Sequence, residues 1–338
     1  MNEKINIVTL GCSKNVADSE KLLARFRCAG YSLKWDPEDT RADTVIINTC
    51  GFINDAKEES IDTILRFVKA KESGSVRNLY VMGCLSQRYK DELRREIPEV
   101  DNYFGVNDQE DLLEKAGAGC KNSFSNNRIL TNPGHYAYLK ISEGCNRKCS
   151  FCAIPSIRGK YISRPIEELE DEAGRLADLG VKEIILVAQD LGYYGLELYQ
   201  KRKLPDLLKK LLKSGNFSWI RLHYLYPDYF PEEIIALMRD NQQICKYIDI
   251  PIQHISEKML RLMKRSYGRR EAEEILYRIK EQLPDAAFRT TLISGHPGET
   301  DDDHRELLEF VRQFRFDRMG VFRYSHEEGT YSGDKLED

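Results

Sequence analysis

Short apolar runs alternate with amphipathic stretches over the first 118 residues of the chain. The runs Ile5–Leu10, Thr44–Asn48 and Leu79–Met82 are typical of strands buried in a parallel sheet. Amphipathic helices are expected between them, and the predicted helices run from Asp18 to Phe26 with Gly30 as the stop, from an N-cap at Asn54 or Asp55 to about Lys71, and from Ser86 to about Glu96. This alternation predicts a parallel sheet with helices packed on its faces.

The same alternation resumes after residue 134. The predicted strands are Ala137–Ile141, Glu183–Val187, Trp219–Leu222, Tyr247–Ile250, Phe288–Ile293 and Arg318–Phe322. The predicted helices are Ile166–Leu179, Leu204–Lys213, Glu232–Arg239, Glu257–Met263, Arg270–Gln282 and Asp301–Phe314, the last capped by Thr300. Six such pairs predict an incompletely closed α/β barrel. Residues 119–134 are rich in Gly, Asn and Ser and are predicted to link domains at 1–118 and 135–338.

Composition narrows the possible functions. The chain has 51 Lys and Arg against 55 Asp and Glu, a net charge of −4, which disfavours a protein that depends on gripping nucleic acid. The N-terminus carries no signal peptide and no apolar run is long enough to span a membrane, so we expect a cytoplasmic protein that does not bind membranes. Nine cysteines in a reducing compartment indicate metal binding rather than disulfides.

Three cysteines lie within eight residues, directly after the first strand of the predicted barrel. Cys145, Cys149 and Cys152 have the spacing C-x₃-C-x₂-C, which brings three thiolates to one side of a tight loop. A 4Fe–4S cubane held by three thiolates keeps one iron open, and an open metal position is typical of a reactive site. A zinc site and a chance group of buried thiols are the alternatives.

Three more cysteines each follow a predicted strand of the N-terminal sheet. Cys12, Cys50 and Cys84 are far apart in sequence, but the carboxyl ends of parallel strands meet at one edge of a sheet, where ligands bind. We therefore expect them to converge on a second iron–sulfur cluster with one open iron. The alternative is that each is a small buried apolar side chain, as free cysteines commonly are.

Other strand ends of the predicted barrel carry weaker candidates. His254 could act in acid–base chemistry, or it could be a hydrogen-bonded structural histidine. Gly295 would let backbone approach a ligand closely, although it also suits an ordinary turn. Arg158 and Lys160 could attract a carboxylate, or they could belong to a solvated basic loop.

The two cysteine sets, with their flanking residues, resemble those of the radical S-adenosylmethionine (SAM) methylthiotransferases. The short sequence motifs around the cysteines are similar to those of the RimO-type branch, which modifies a ribosomal protein. The resemblance covers nearly the whole chain and is carried by Leu10-Gly11-Cys12-Ser13-Lys14-Asn15, Asn48-Thr49-Cys50-Gly51-Phe52-Ile53, Ile141-Ser142-Glu143-Gly144-Cys145-Asn146-Arg147 and Ile154-Pro155-Ser156-Ile157-Arg158-Gly159-Lys160. It implies an N-terminal parallel-sheet α/β sandwich domain followed by a radical-SAM partial TIM-type (β/α) barrel.

The resemblance also implies cofactors and site residues. Two 4Fe–4S clusters and SAM are expected, with Cys145, Cys149 and Cys152 holding the radical cluster and Cys12, Cys50 and Cys84 holding the auxiliary, sulfur-bearing cluster. Phe151 would contact the adenine of SAM through its backbone, and Gln189 would help to hold the SAM amino group. In this superfamily one electron cleaves SAM at the open iron to give a 5′-deoxyadenosyl radical, which takes hydrogen from unactivated C–H bonds.

The implied activity is methylthiolation of the β-carbon of an aspartate in a small-subunit ribosomal protein, free or on the ribosome, with electrons from a flavodoxin- or ferredoxin-type donor. The same chemistry on a tRNA adenosine is the first alternative, and only that reading calls for a nucleic-acid partner. A non-catalytic iron–sulfur protein for electron transfer or scaffolding is the second. The chain ends at Asp338, without the C-terminal TRAM domain that is usual in the family.

Overall fold

The computed structural model describes residues 3–36, 38–119, 127–214 and 216–336. They form two compact units, one comprising Met1–Gly134 with Ser156–Arg158 and the other His135–Pro155 with Gly159–Asp338. Among the described residues, no helix is both long and apolar enough to cross a membrane.

The first unit is built on one five-stranded parallel sheet. Its strands are β1 (Lys4–Thr9), β2 (Ser32–Lys34), β3 (Ala42–Thr49), β4 (Val76–Gly83) and β5 (Asn102–Tyr103), in the order β2-β1-β3-β4-β5. Its helices are α1 (Ser13–Cys28), α2 (Asn54–Glu72), α3 (Cys84–Glu96) and α4 (Gln109–Lys115). The parallel sheet expected from the apolar runs is therefore present.

The strands of this sheet are buried on both faces because helices cover each side. Side chains alternate along a strand, so Ile46 of β3 packs with α1 and α4, whereas its neighbours Val45 and Ile47 pack with α2 and α3. Phe26 of α1 and Phe67 of α2 are fully buried, one on each side. Two apolar layers thus hold the strand ends in fixed positions.

The second unit contains six parallel strands in sequence order. Its elements include the strands β6 (Tyr136–Lys140), β9 (Glu183–Val187), β10 (Trp219–Leu222), β11 (Tyr247–Asp249), β12 (Ala287–Ser294) and β13 (Arg318–Arg323), and the antiparallel pair β7 (Ser142–Glu143) and β8 (Ile162–Ser163). The helices from here on are α5 (Ile154–Arg158), α6 (Ile166–Asp178), α7 (Leu196–Tyr199), α8 (Leu204–Ser214), α9 (Glu232–Asp240), α10 (Glu257–Leu262), α11 (Arg269–Gln282), α12 (Asp301–Phe314) and α13 (Tyr331–Lys335). The last three residues of α5 belong to the first unit.

The six strands form two three-stranded sheets that meet at β10 and β11. The orders are β10-β9-β6 and β11-β12-β13. Ile220 N donates to Gln243 O at 2.7 Å, and Leu225 N donates to Asp249 O at 2.8 Å, so hydrogen bonds continue from one sheet to the next. The arrangement is the partial (β/α) barrel that the sequence predicts.

Several element boundaries differ from those predicted. Helix α1 begins at Ser13 rather than Asp18, because Cys12 takes an extended conformation and serves as its N-cap. Helix α3 begins at Cys84 rather than Ser86. The N-cap of α2 is Ile53, without a side-chain hydrogen bond, so neither Asn54 nor Asp55 has the predicted capping role. The Thr300 cap of α12 is confirmed, since its hydroxyl accepts from Asp303 N.

The predicted linker is described only in part. Residues 120–126 lie outside the described residues. Beyond them, Arg128 forms a buried ion pair with Glu20 of α1, and Thr131 N donates to the same carboxylate at 2.8 Å. This end of the predicted linker is therefore anchored on the first unit.

Candidate metal centres

The three strand-end cysteines of the first unit lie together at the carboxyl edge of its sheet. Pairing of β3 with β4 sets Thr49 beside Gly83, the residues immediately before Cys50 and Cys84. A Cβ placed on Gly11, the residue before Cys12, would lie 2.7 Å from Cys50 Cβ and 3.0 Å from its sulfur. The structure thus brings Cys12, Cys50 and Cys84 to one place, as their positions in the sequence predict.

Buried polar side chains fix this edge. Asn15 Nδ2 donates to the carbonyls of Leu10 at 2.8 Å and Thr49 at 3.1 Å, which ties the ends of two strands together. Ser60 of α2 exchanges hydrogen bonds with the backbone of Cys50, accepting from its N–H at 3.1 Å and donating to its carbonyl at 2.8 Å. The thiols are held by a rigid frame rather than by a mobile loop.

The thiols at this edge differ in their affinity for protons. Burial raises the pKa of Cys84 to about 11 and also raises the pKa of Cys50. Burial opposes ionisation of Cys12 as well, but the Lys14 and Arg158 cations bring its pKa below the ordinary value. Metal binding here would release protons, because thiolates rather than thiols are the ligands.

Arg158 is a cation that lowers the pKa of all three of these thiols. It is buried, with its guanidinium donating to Asn15 Oδ1 at 2.7 Å and lying 4.0 Å from an Asp18 carboxylate oxygen. It also donates a hydrogen bond to the Cys84 thiol, which lowers the pKa of that thiol against the effect of burial. The alternative of a solvated loop is therefore wrong for Arg158, whereas Lys160 is exposed.

The other three cysteines form a loop after β6 in the second unit. Gly144 enters the loop with φ +72°, and Cys145 N donates to Gly159 O at 3.1 Å. Ser150 N donates to Met263 O at 3.0 Å, and Cys152 N donates to Cys149 O at 3.2 Å. Backbone hydrogen bonds therefore restrain the loop near Cys145 and again between Cys149 and Cys152. Burial raises the pKa of Cys145 to about 11 and that of Cys152 to about 12.

Charged and aromatic side chains surround this loop. Arg147 forms ion pairs with Asp190 at 2.8 Å and with Asp228 at 2.6 Å, and it stacks on Tyr226 with its guanidinium carbon 3.9 Å from the ring centre. Arg265 Nη1 lies 3.3 Å from Cys149 Sγ. The loop is held in a polar, mostly buried frame.

The thiols and the polar atoms of the second unit fit a cluster with a polar ligand. The buried oxygens that have no hydrogen-bond partner within the described part of the chain include Ser150 Oγ, Asp190 Oδ1, Asp228 Oδ1 and Gln253 Oε1. Buried polar atoms normally find partners, so such oxygens fit the amino and hydroxyl groups of a bound ligand such as SAM. Three soft thiol donors fit iron–sulfur ligation.

Over residues 3–36, 38–119, 127–214 and 216–336, no group of three His, Cys, Asp or Glu side chains is arranged to hold a single metal ion, and this applies to both thiol trios.

The remaining predicted site residues have different surroundings. Phe151 is half-buried and packs edge-on against the His296 ring at 6.4 Å between ring centres. Gln189 is half-buried two residues beyond β9, and Gly295 is exposed after β12 with φ +78° and open space where a side chain would extend. Within the part of the chain that the structure describes, no hydrogen bond or ring contact joins Phe151, Gln189 and Gly295.

His254 is fully buried. Its Nδ1 accepts from Ser256 N at 3.0 Å, its Nε2 lies 3.5 Å from Glu299 Oε1, and burial lowers its pKa despite the nearby carboxylate. A neutral imidazole enclosed in this way fits the structural alternative that the sequence leaves open.

Sequence reasoning missed the side chains that surround the Cys145–Cys152 loop. Asp190 had a usable signal, since it adjoins Gln189 at the end of a predicted strand. Tyr226 and Arg265 had none, because they lie in irregular segments whose contacts are set by the tertiary fold.

The chain is similar to several families and proteins over most of its length. The family model described as Radical SAM superfamily matches residues 139–311, and the model described as Uncharacterized protein family UPF0004 matches residues 4–105. Curated relatives include proteins named ribosomal protein uS12 methylthiotransferase RimO. The one from Phocaeicola vulgatus is 52% identical over 334 residues, which are 99% of this chain and 77% of the relative. The one from Cytophaga hutchinsonii is 53% identical over 329 residues, 97% of this chain and 75% of the relative.

Solved structures share the fold at low sequence identity. The radical SAM methyltransferase TsrM from Kitasatospora setae, with cobalamin and a 4Fe–4S cluster bound, superposes with a TM-score of 0.70 at 13% identity and covers 98% of this chain and 74% of its own. The cobalamin-dependent radical SAM enzyme OxsB, with aqua-cobalamin and SAM bound, gives a TM-score of 0.64 at 12% identity, over 98% of this chain and 54% of its own. Both support the assignment of a parallel-sheet domain followed by a partial barrel.

Proposed function

The chain belongs to the RimO methylthiotransferase family of the radical SAM superfamily, and from that membership we propose that it adds a methylthio group to the β-carbon of an aspartate in ribosomal protein uS12. The observation that best supports the proposal is that the structure contains two trios of thiols, each fixed within its own unit. A ribosomal substrate implies that the enzyme works in the cytoplasm, and a flavodoxin- or ferredoxin-type protein is the proposed electron donor.

In this proposal each trio holds one 4Fe–4S cluster. Cys145, Cys149 and Cys152 would hold the radical cluster, with SAM at its open iron, and Cys12, Cys50 and Cys84 would hold the auxiliary cluster. When bound, the radical cluster and SAM supply one-electron cleavage of SAM and hydrogen abstraction from an unactivated C–H bond. We also propose that residues 1–118 and 135–338 are the two catalytic domains, joined by 119–134.

The protein's own residues prepare both sites. Buried thiols with raised pKa values, such as Cys145 and Cys84, exchange a proton for iron on loading. Arg158 and Asn15 fix the polar environment of the auxiliary trio. Arg147, paired with Asp190 and Asp228, orders the loop in which the radical trio lies. Phe151, Gln189 and Gly295 are the proposed contacts for SAM, and His254 is kept as a candidate acid–base group.

The substrate is tested by mass spectrometry. Anaerobically reconstituted protein should bind about eight irons if both sites hold cubanes. Incubated with SAM, sulfide and reductant, it should add the mass of one methylthio group to uS12 and leave bulk tRNA unchanged. Modification of tRNA instead of uS12 would transfer the activity to a tRNA adenosine, and loading of both clusters without SAM cleavage would support a non-catalytic electron-transfer or scaffold role.

The division of labour between the trios is tested by two substitutions. Cys145→Ala should abolish 5′-deoxyadenosine formation, because the radical cluster loses a ligand. Cys50→Ala should leave SAM cleavage in place but block sulfur insertion. Iron content and electron paramagnetic resonance (EPR) spectra report which cluster remains. SAM cleavage by Cys145→Ala, or its loss in Cys50→Ala with the radical cluster intact, would contradict the assignment.

A further inference from the structure

Two side chains from different segments of the second unit reach the sulfur of Cys149. Arg265 Nη1 lies 3.3 Å from Cys149 Sγ, and the Tyr226 hydroxyl lies 3.3 Å from the same atom. A metal-bound thiolate carries no proton, so the sulfur can only accept and both groups must donate. Cys145, in contrast, receives a backbone donor, the N–H of Arg147 at 3.4 Å. The three thiols of the loop therefore lie in unequal environments.

The Arg265 guanidinium is held in one orientation by neutral acceptors. Its Nη2 donates to Pro251 O at 2.8 Å, and its Nε donates to the Tyr267 hydroxyl at 3.0 Å. Tyr267 is itself buried and donates to Ile252 O at 3.1 Å. These bonds occupy Nε and Nη2 of the guanidinium and leave Nη1 directed at Cys149. An ammonium group would carry the charge but could not reproduce this planar geometry.

The segment that carries Arg265 is bonded directly to the cysteine loop. Met263 O accepts from Ser150 N at 3.0 Å, next to Cys149 in sequence. Arg265 N donates to Leu260 O at 2.9 Å, which closes the turn after α10. The donor and the sulfur are therefore positioned by one set of backbone hydrogen bonds.

No carboxylate in the described part of the chain accepts a hydrogen bond from Arg265. Two guanidinium groups lie over the Tyr226 ring, with the Arg265 carbon 4.3 Å and the Arg147 carbon 3.9 Å from its centre. Arg147 is balanced by Asp190 and Asp228, whereas Arg265 bonds to two neutral oxygens and the thiol. Arg265 therefore directs its positive charge at the sulfur of Cys149.

We propose that Arg265 and Tyr226 are positioning residues that raise the reduction potential of the cluster held by Cys145, Cys149 and Cys152. Reduction adds one electron, supplied by the external donor, to a centre that is already anionic. Hydrogen bonds and a cation at a ligand sulfur stabilise the added negative charge, and such contacts are among the factors that set iron–sulfur potentials. The inference rests on the proposed function for the presence of this cluster and adds to it the groups that make the cluster reducible.

The test is an anaerobic redox titration of the full-length chain, followed by EPR. Cys12, Cys50 and Cys84 are replaced by Ala in every sample, so that one cluster is observed. Relative to this parent, Arg265→Gln should shift the midpoint potential to a more negative value. Tyr226→Phe removes only the hydroxyl and should shift it in the same direction by less. Arg265→Lys keeps the charge and should lie between Arg265→Gln and the parent.

Arg261→Gln is the matched control. Arg261 lies in the preceding helix α10, is largely exposed and pairs with Glu257 at 3.1 Å, so its removal should leave the potential unchanged. A shift as large as that of Arg265→Gln would mean that any nearby cation acts on the cluster, and the specific role of the Cys149 contact would be refuted.

Unchanged potentials in Arg265→Gln or Tyr226→Phe, with iron content intact, would overturn the inference. If Arg265→Gln fails to retain iron, Tyr226→Phe decides alone, since it preserves the ring and its packing. If the parent binds iron and cleaves SAM, and the variants have the same midpoint potential as the parent, only the tuning role of Arg265 and Tyr226 is refuted. A parent that holds no cluster refutes the proposed function and this inference together.

Discussion

The ion pair between Glu20 and Arg128 provides a direct test of how the first unit is held together. Both side chains are at most 1% exposed. Glu20 Oε2 accepts from Arg128 Nε at 3.1 Å and from Arg128 Nη2, while its Oε1 accepts from Thr131 N at 2.8 Å and Oγ1 at 3.1 Å. One carboxylate thus satisfies four donors and fixes the segment around residue 128 onto α1.

Replacing Glu20 by Ala should be severe because the buried Arg128 cation loses the carboxylate that accepts from its Nε and Nη2. Loss of one member of a buried pair costs about 3–5 kcal/mol. The partly buried Thr131 N–H also loses its acceptor, which costs less than the about 1–3 kcal/mol of a fully buried unsatisfied donor. These contributions share one site and do not add, so we expect a loss of about 3–5 kcal/mol in the free energy of unfolding.

The double variant Glu20→Leu with Arg128→Met tests whether the cost of Glu20→Ala comes from the buried charge that Glu20→Ala leaves behind. Apolar side chains of similar size avoid an isolated charge, so the double variant should recover most of the loss and unfold within about 2 kcal/mol of the parent. Native-state hydrogen exchange of the α1 amides in urea measures the free energy of unfolding at this site. Glu38→Ala, which removes an exposed partner of Arg66, is the control and should cost less than about 1 kcal/mol.

Two results would refute this reasoning. A loss below about 1 kcal/mol in Glu20→Ala would mean that water reaches the guanidinium in solution. A double variant as unstable as Glu20→Ala would mean that side-chain shape, not the loss of the carboxylate beside the buried cation, determines the cost.

Two further predictions concern the second unit. Gly144→Ala should prevent iron loading at the adjacent thiols and destabilise the protein by more than about 1 kcal/mol, because φ is +72° and the new Cβ would overlap the Lys160 carbonyl oxygen. The control is Gly174→Ala, in the interior of α6 where a Cβ meets no other atom, which should stabilise the protein by about 0.5–1 kcal/mol. Equal urea midpoints for the two variants would contradict this prediction. Asp303 has a strongly lowered pKa because, against the effect of burial, it accepts from Lys258 and other donors. Its contribution to stability is therefore present above an unfolded-state pKa of about 3.9 and is lost as pH falls towards the lower folded-state value, so Asp303→Asn should flatten the fall of the urea midpoint below about pH 4, and an unaltered slope would count against it.

The strands and the cysteine sets were predictable because their signals are local. Apolar runs such as Thr44–Asn48 predict buried strands. Parallel pairing then brings the residues after each strand to the carboxyl edge of the sheet. The start of α1 was predicted wrongly at Asp18, since Asp, Ser and Glu in succession look like a cap, whereas the helix begins at Ser13. Strands of two residues, such as β5 and β7, carry no period that a sequence could reveal.

The surroundings of the cysteines could not be predicted in the same way. Arg265 reaches Cys149 only because Pro251 and Tyr267 orient its guanidinium, and no spacing along the chain encodes that meeting. Arg158 looked like a loop cation but is buried beside Asn15, since its segment belongs to the first unit. The cysteines carried local or strand-end signals, whereas the groups that surround them depend on the completed fold.

The spacing of the two thiol trios determines what each requires before its sulfurs can come together. Cys145, Cys149 and Cys152 span eight residues, so one short segment of the chain brings them together. Cys12, Cys50 and Cys84 meet only after β1, β3 and β4 have paired in register, so their closeness depends on long-range contacts of the folded sheet. Partial unfolding of the first unit should accordingly separate Cys12, Cys50 and Cys84, whereas the other trio lies in a separate unit.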